Sequence, residues 1–199
     1  MVTRTKLHRC AGLLVMNLFL LVASHANTDS RTFVAGSPAS PGHFRYMLYP
    51  LPDTIPAPVD EYVNDFESVL TKAQTDSLRI LMTSIRKEHS IVFCIVSIDS
   101  SMVQPARFDA FTLQLANYWG VGDREKDNGI VIGFSRQYRR LRIQNGRGIE
   151  KFISNMETDS IMQTVIFPEF KTGDFYGGLR AGIIALMQLV RSKKSKISA

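Results

Sequence analysis

Three carboxylate residues, Asp127, Glu150 and Asp159, have the types and the spacing of a site for a hard metal cation. Asp127 precedes the first strand of a predicted hairpin, and Glu150 follows the second strand. The start of the first strand and the end of the second lie at one edge of a hairpin, and Asp159 begins a helix that can return to that edge. Carboxylate oxygens, with carbonyl groups released by nearby glycines, are suitable ligands for Ca²⁺ or Mg²⁺.

Each carboxylate also has a purely structural interpretation, which the sequence leaves open. Asp127–Gly129 is typical of a turn, and Asp159 or Thr158 is a suitable helix cap. Glu150 is a solvated surface residue in that interpretation. Asp174 follows a glycine and is predicted to be a helix cap with no further role.

Other catalytic chemistries lack the residues that they need. His89 is the only histidine of the predicted domain and no Gly-x-Ser-x-Gly segment occurs, which argues against a serine hydrolase and against a zinc site. Cys94 lies in an apolar run and is predicted to be a buried hydrophobic residue. Cys10 lies in the leader described below, so no disulfide within the exported chain is expected. The glycines of segment 146–148 are interpreted as turn positions.

The elements that must position these residues follow the order α-β-α-β-β-α-α. Amphipathic periodicity predicts the helices, and two runs of apolar, β-branched residues predict strands covered on both faces. This order predicts an α/β fold, a three-layer α/β/α sandwich in which a small mixed sheet carries helices on both faces. The predicted elements are a helix from Thr71 to near His89, a strand Ile91–Ile98, a helix from Phe108 to Tyr118 closed by Gly120 or Gly122, a hairpin of Gly129–Phe134 with Tyr138–Gln144, a helix that ends before Pro168, and a helix Leu179–Val190.

Four segments divide the chain. Residues 1–26 resemble a secretory signal peptide, with a basic start, an apolar stretch too short to span a bilayer and small residues at the end. Residues 27–58 form a proline-rich spacer, 59–191 the folded domain and 192–199 a basic tail. Export to the periplasm or the extracellular space is therefore predicted; the alternative is an anchor formed by an uncleaved N-terminal segment.

The charge distribution argues against a nucleic-acid partner. The formal net charge of +6 becomes −1 for residues 27–190, because the leader and the residues from Arg191 onward carry seven basic and no acidic residues. A nearly neutral domain lacks the basic surface that binds nucleic acid. The basic tail could contact anionic lipid, at about 1 kcal/mol per basic residue, or could simply be solvated.

Several motifs, taken together in order and spacing, resemble the TPM domain family over roughly Glu61 to Val190. They are Val63-Asn64-Asp65, Trp119-Gly120-Val121-Gly122, Lys126-Asp127-Asn128-Gly129, Gly146-Arg147-Gly148-Ile149-Glu150, Asp159, Pro168 and Gly173-Asp174. The resemblance implies a small α/β/α sandwich that works outside the cytoplasm, and it implies acid phosphatase activity or divalent-cation binding. By position it adds Asp65 to the candidate ligands. This chain departs from the family at Arg147, where an aromatic residue is usual.

Two functions follow from this resemblance and from the acidic edge. In the first, an envelope-facing interaction module, Ca²⁺ or Mg²⁺ bound by Asp65, Asp127, Glu150 and Asp159 fixes the loops that meet an envelope or membrane protein partner. The alternative is a metal-assisted acid phosphatase that acts on phosphomonoesters. Lys126 or Arg147 would bind the substrate phosphate in that case.

Overall fold

The computed structural model describes residues 55–197. The predicted signal peptide, and the predicted spacer up to Thr54, lie outside these residues. The elements are β1 (Val63–Asp65), α1 (Lys72–His89), β2 (Val92–Ser97), a 3₁₀ turn (Pro105–Arg107), α2 (Phe108–Trp119), β3 (Gly129–Ser135), β4 (Arg140–Asn145), α3 (Arg147–Glu150), α4 (Asn155–Ile161), a π-helical turn (Met162–Ile166), α5 (Phe167–Thr172) and α6 (Phe175–Ile197).

The sheet has the order β1-β2-β3-β4, with β1, β2 and β3 parallel and β4 antiparallel to β3. Every residue of β2 and β3 is buried, as their apolar runs predicted, whereas burial alternates along β4. We call the edge at which the three parallel strands begin the amino edge, and the opposite one the carboxyl edge. Because β4 runs the other way, its end lies at the amino edge beside the start of β3.

Helices cover both faces of the sheet, which confirms the predicted three-layer sandwich. On one face, α1, α6 and the helices between β4 and α6 enclose a core with Phe93, Ile95 and Ile132. On the other face, α2 encloses a smaller core with Cys94 and Val96. None of the helices in the described part of the chain combines the length and the apolar character needed to cross a membrane.

The helix starts show which caps were predicted correctly. Thr71 begins α1 with a full capping box, and Asp174 caps α6 by accepting the amide of Gly177 at 2.8 Å. The cap predicted at Thr158 or Asp159 is wrong, because α4 begins earlier, at a capping box of Ser154 with residue 157.

Pro168 does not end a helix, contrary to the prediction. The helical path continues from α4 through the π-helical turn into α5, where the proline stands in the first turn. The proline stands just after the π-helical turn, where the regular α-helical hydrogen-bond pattern is already interrupted, and the helical path accommodates it there. The side chain of Ile166 packs so closely on Gly182 of α6 that a Cβ there would lie 2.5 Å from it.

The last helix includes residues that were assigned to a separate basic tail. Since α6 continues to Ile197, residues 192–197 are helical. Lys193 forms an ion pair with Glu157 at 2.7 Å, and the Lys194 ammonium lies 5.1 Å from the centre of the Phe152 ring. Both lysines therefore contact the domain.

The Lys193–Glu157 pair predicts a loss of stability in acid. The Lys193 ammonium, with the amide and hydroxyl of Ser154, lowers the pKa of Glu157 from 4.5 to about 2. The unfolded chain takes up this proton near pH 4.5 while the folded chain does not, so the contribution to stability is full above pH 4.5 and is lost as the pH falls toward 2. Thermal unfolding at pH 7 and pH 3 should show a smaller acid-induced drop in Tm for Lys193→Met than for the unmodified chain. An equal drop in both would contradict the assignment.

Candidate functional site

Two loops meet at the amino edge and carry most of the family motifs. The amide of Gly146 donates to the carbonyl of Gly129 at 2.8 Å, and the amide of Gly148 donates to the carbonyl of Asp127 at 2.9 Å. We call this contact between residues 121–129 and 146–148 the glycine corner. It brings the segment around Asp127 directly beside the one that leads into Glu150.

The glycines of this corner are required by close backbone contact. A Cβ on Gly148 would lie 1.9 Å from the carbonyl oxygen of Lys126, and one on Gly129 would lie 2.0 Å from that of Val121. Segment 146–148 does enter a turn, since the Gly146 carbonyl accepts the amide of Ile149 at 2.8 Å, but neither of its glycines has a positive φ, so the turn itself does not require glycine. These glycines let two backbones touch.

Asn128 holds the first loop of the corner, a role that the sequence interpretation missed. Its side chain is buried; the carbonyl oxygen accepts the amide of Asp123 at 2.7 Å, and the amide nitrogen donates to the carbonyl of Ser90 at 2.5 Å. The Asn-Gly sequence indicated a turn, but it gave no sign that the asparagine also bridges to the end of α1.

The carboxylates Asp127, Glu150 and Asp159 lie at or near the amino edge, and all three are exposed. Asp159 lies in α4 next to Thr158, whose hydroxyl accepts from Asn145 at the end of β4. Within residues 55–197, however, no three histidine, cysteine or acidic side chains are grouped closely enough to hold one metal ion.

The glycines were also expected to leave backbone carbonyl groups free to bind a cation, and three of these groups are not free. The carbonyls of Asp127, Gly129 and Gly146 all accept backbone amides of neighbouring residues. Asp127 and Gly129 accept amides of the other loop, and Gly146 accepts those of Ile149 and Glu150 at the start of α3, so these three carbonyls are engaged within the protein.

Asp65 lies at the other end of the sheet. It pairs in register with Ser97, five residues beyond the start of β2, and so lies about 16 Å from the amino edge at 3.3 Å per residue. Its carboxylate accepts the Ser97 hydroxyl at 2.6 Å and the amide of Leu70 at 2.8 Å. The prediction that one site contains all four carboxylates is therefore wrong for this chain.

Glu67 extends this arrangement across the sheet. Its amide donates to the hydroxyl of Ser97 at 2.9 Å, and its carboxylate accepts the Ser135 hydroxyl at 3.0 Å and the amide of Arg136 at 2.7 Å. We call Asp65, Glu67, Ser97 and Ser135 the carboxyl-edge latch. Open α/β sheets usually bind ligands at this edge, where successive connections leave to opposite faces, as α1 and α2 do here. In this chain the acidic groups of that edge are bound to the protein's own donors.

A cleft of about 210 Å³ opens at the amino edge, between the start of the sheet and the end of α2. Burial raises the pKa of the Cys94 thiol, which lines it, to about 12, so the thiol stays protonated and is no nucleophile at neutral pH. The guanidinium of Arg86 donates to Glu61 and to the Tyr62 hydroxyl. The lining residues are Pro58, Asp60, Glu61, Arg86, Val92, Cys94, Trp119, Gly120, Val121 and Gly122.

The two candidate phosphate-binding residues share the glycine corner. Lys126 and Arg147 are exposed, and they lie beside each other because the Lys126 carbonyl packs against Gly148. The Lys126 ammonium lies 3.6 Å from the carboxylate of Asp123. The corner thus presents charges of both signs to solvent.

Comparison with known proteins identifies the family of this chain. The N-terminal domain of a protein from P. gingivalis, determined by solution NMR, is 29% identical; the match covers 67% of this chain and 85% of that one, with a TM-score of 0.60. The NMR structure of the BA42 protein from Bizionia argentinensis is 18% identical over 64% of this chain and 86% of that one, with a TM-score of 0.53, and supports the fold. No curated protein matches the chain. Residues 63–189 match the model of the TPM domain, TPM_phosphatase, and the chain therefore belongs to the TPM domain family.

Proposed function

We propose that this TPM domain is a non-catalytic interaction module that works in the cell envelope, outside the cytoplasm. The carboxyl-edge latch is the observation that carries the proposal. A general base or a nucleophilic carboxylate must be able to reach a substrate. Asp65 and Glu67 instead hold the loop after β1 to β2 and to the β3–β4 turn.

Of the four predicted cation ligands, we retain Asp127 and Glu150; Asp159 lies within α4, outside the glycine corner. The segments of the two retained residues touch at the glycine corner, whereas Asp65 lies at the carboxyl edge. Two exposed carboxylates with water do not make an all-protein cage, but they fit a weak Ca²⁺ or Mg²⁺ site of roughly 10⁻⁴ to 10⁻³ M, the range of extracellular modules. The role of such a cation is to fix the loops of the corner, where they meet a partner.

The proposed location of the partner rests on the predicted leader. A secretory leader at residues 1–26 would export the domain, so the partner would lie outside the cytoplasm. Lys193 and Lys194 already contact the domain, which reduces the charge that the last helix can offer to anionic lipid. We therefore favour a protein of the envelope over the lipid surface as the partner.

A metal-assisted acid phosphatase is the second candidate. The observation in its favour is that Lys126 and Arg147 lie at the same corner as Asp127. A phosphate could bind the two cations there. The corner supplies few carboxylates for the two metal ions that many phosphatases use.

Assays on purified protein separate the two functions. We expect Ca²⁺ to bind at millimolar concentration by calorimetry, more weakly in Asp127→Asn and Glu150→Gln because each loses a charged ligand, and unchanged in Asp174→Asn, which alters an acidic helix cap elsewhere. We expect no metal-dependent hydrolysis of a generic phosphomonoester between pH 5 and pH 7. Turnover that disappears in the Lys126→Ala/Arg147→Ala double variant would overturn the interaction module and support the phosphatase.

A further inference from the structure

A short proline-containing segment of the chain docks on α2 and on the end of that helix. Ile55 packs against the core between α2 and the sheet, and Trp119 and Val121 pack against the same core. The indole Nε1 of Trp119 donates a hydrogen bond to the carbonyl of Pro56 at 2.8 Å. We call residues 55–59 the strap.

The end of the strap is held separately. The side-chain oxygen of Asn64 accepts the amides of Val59 and Asp60 at 2.7 and 3.0 Å. Between these anchors, Ala57 and Pro58 are exposed. The first half of the strap is therefore held by the hydrogen bond from Trp119 and by the apolar side chain of Ile55 on the core under α2, as a short peptide ligand would be.

The strap has the chemistry of a polyproline-type ligand. Its sequence, Ile-Pro-Ala-Pro, places each proline after a residue that proline biases toward extended backbone. Such segments make no internal hydrogen bonds, so their carbonyls need external donors, and they lose little conformational entropy when they bind. An aromatic groove with an indole N–H donor is one of the recurring ways in which proteins recognise them.

We propose that the surface formed by Trp119 and the neighbouring part of α2 is a recognition site for extended, proline-containing peptides, which the strap occupies in cis. This inference rests on the proposed interaction module and names its class of partner. A partner segment with an apolar residue before the first proline would displace the strap and take over both of its contacts. The cleft beside Pro58 and Trp119 leaves room for side chains larger than those of the strap.

The fluorescence of Trp119 reports on this site directly, because it is the only tryptophan of the chain. In the full chain, Ile55→Asp should release the first half of the strap and raise the acrylamide quenching of Trp119 about twofold, since the bound carbonyl and side chain no longer shield the indole. Val59→Asp is the matched control. It adds the same charge at a side chain that is 80% exposed, and should leave quenching unchanged.

A synthetic peptide with the sequence of residues 54–59 then tests recognition in trans. It should restore low quenching in Ile55→Asp at lower concentration than it affects the unmodified chain, where the strap competes at an effective concentration of roughly millimolar. The same peptide with alanine in place of both prolines should bind at least tenfold more weakly. Circular dichroism shows whether Ile55→Asp remains folded.

The inference is overturned if folded Ile55→Asp shows no protection by the peptide, or if the proline-free peptide protects equally well. Should Ile55→Asp not fold, the unmodified chain is titrated with the two peptides at several millimolar, and equal responses to both would overturn the inference. A negative result would leave the non-catalytic module standing. Metal-dependent turnover in the phosphomonoester assay would instead overturn that module without changing the quenching of Trp119.

Discussion

Substitution of Gly148 by alanine is expected to cost about 3 kcal/mol or more of the free energy of unfolding, which is a large fraction of the stability of a typical domain. The new Cβ would lie 1.9 Å from the backbone carbonyl oxygen of Lys126, where no side-chain rotation can relieve the clash. The glycine corner must open, and the hydrogen bond from Gly148 to Asp127 is lost with it. Urea denaturation of purified variants measures the effect.

Gly120→Ala is the matched control for this prediction. Gly120 ends α2 with a φ of 63°, and a Cβ there would meet no atom within 4 Å. Its cost is therefore limited to the conformational penalty of a left-handed alanine, about 1 kcal/mol. If the two variants lost equal stability, the predicted clash between a Cβ at position 148 and the Lys126 carbonyl would be wrong.

The contrast between these two glycines shows what the sequence could indicate. Gly120 follows the last apolar position of an amphipathic helix, so it was predicted as a helix end, and it is one. Gly146 and Gly148 look the same in sequence, but their role depends on a loop about twenty residues earlier. A glycine that permits a turn and a glycine that permits a contact cannot be told apart by local pattern.

The layers of the fold could be predicted from the sequence, because their signals are local. The buried strands β2 and β3 have continuous apolar runs, which indicate that both of their faces are covered. In β4, Leu141 and Ile143 alternate with arginines, which indicates that only one face is covered. The apolar faces of the helices α1 and α2 are equally clear in the sequence. These patterns predict a sandwich because few arrangements of helices and strands bury all of the apolar faces.

β1 was not predicted, so nothing in the predicted fold tested the grouping of Asp65 with the other carboxylates that the family resemblance implied. The strand has only three residues, Val63–Asp65, too few to show periodicity. It is held by pairing with β2 and by the side chain of Asn64, which binds the strap that precedes it. Without β1 in the sheet, nothing in the sequence showed that Asp65 ends a parallel strand whereas Asp127 precedes one.

Asp65→Ala is the second substitution with a large expected effect, about 2–3 kcal/mol of stability. It removes the acceptor of two hydrogen bonds and leaves the buried hydroxyl of Ser97 and the amide of Leu70 without their partner, at roughly 1–3 kcal/mol for each unsatisfied group. Asp65→Asn retains one acceptor oxygen and should lose about half as much. Urea denaturation gives both values.

The same variants distinguish a latch from a metal ligand. If Asp65 holds the loop after β1, the destabilisation by Asp65→Ala and Ser97→Ala should be less than additive in the double variant, because each single change already breaks their shared hydrogen bond. Ca²⁺ affinity, measured well below the unfolding temperature, should be unaffected, whereas Asp127→Asn should weaken it with little change in stability. If the Asp65→Ala variant kept its stability but lost Ca²⁺ binding, Asp65 would be a cation ligand after all. The acidic residues of this domain can thus be divided into structural residues, whose removal weakens the fold, and cation ligands, whose removal weakens ion binding.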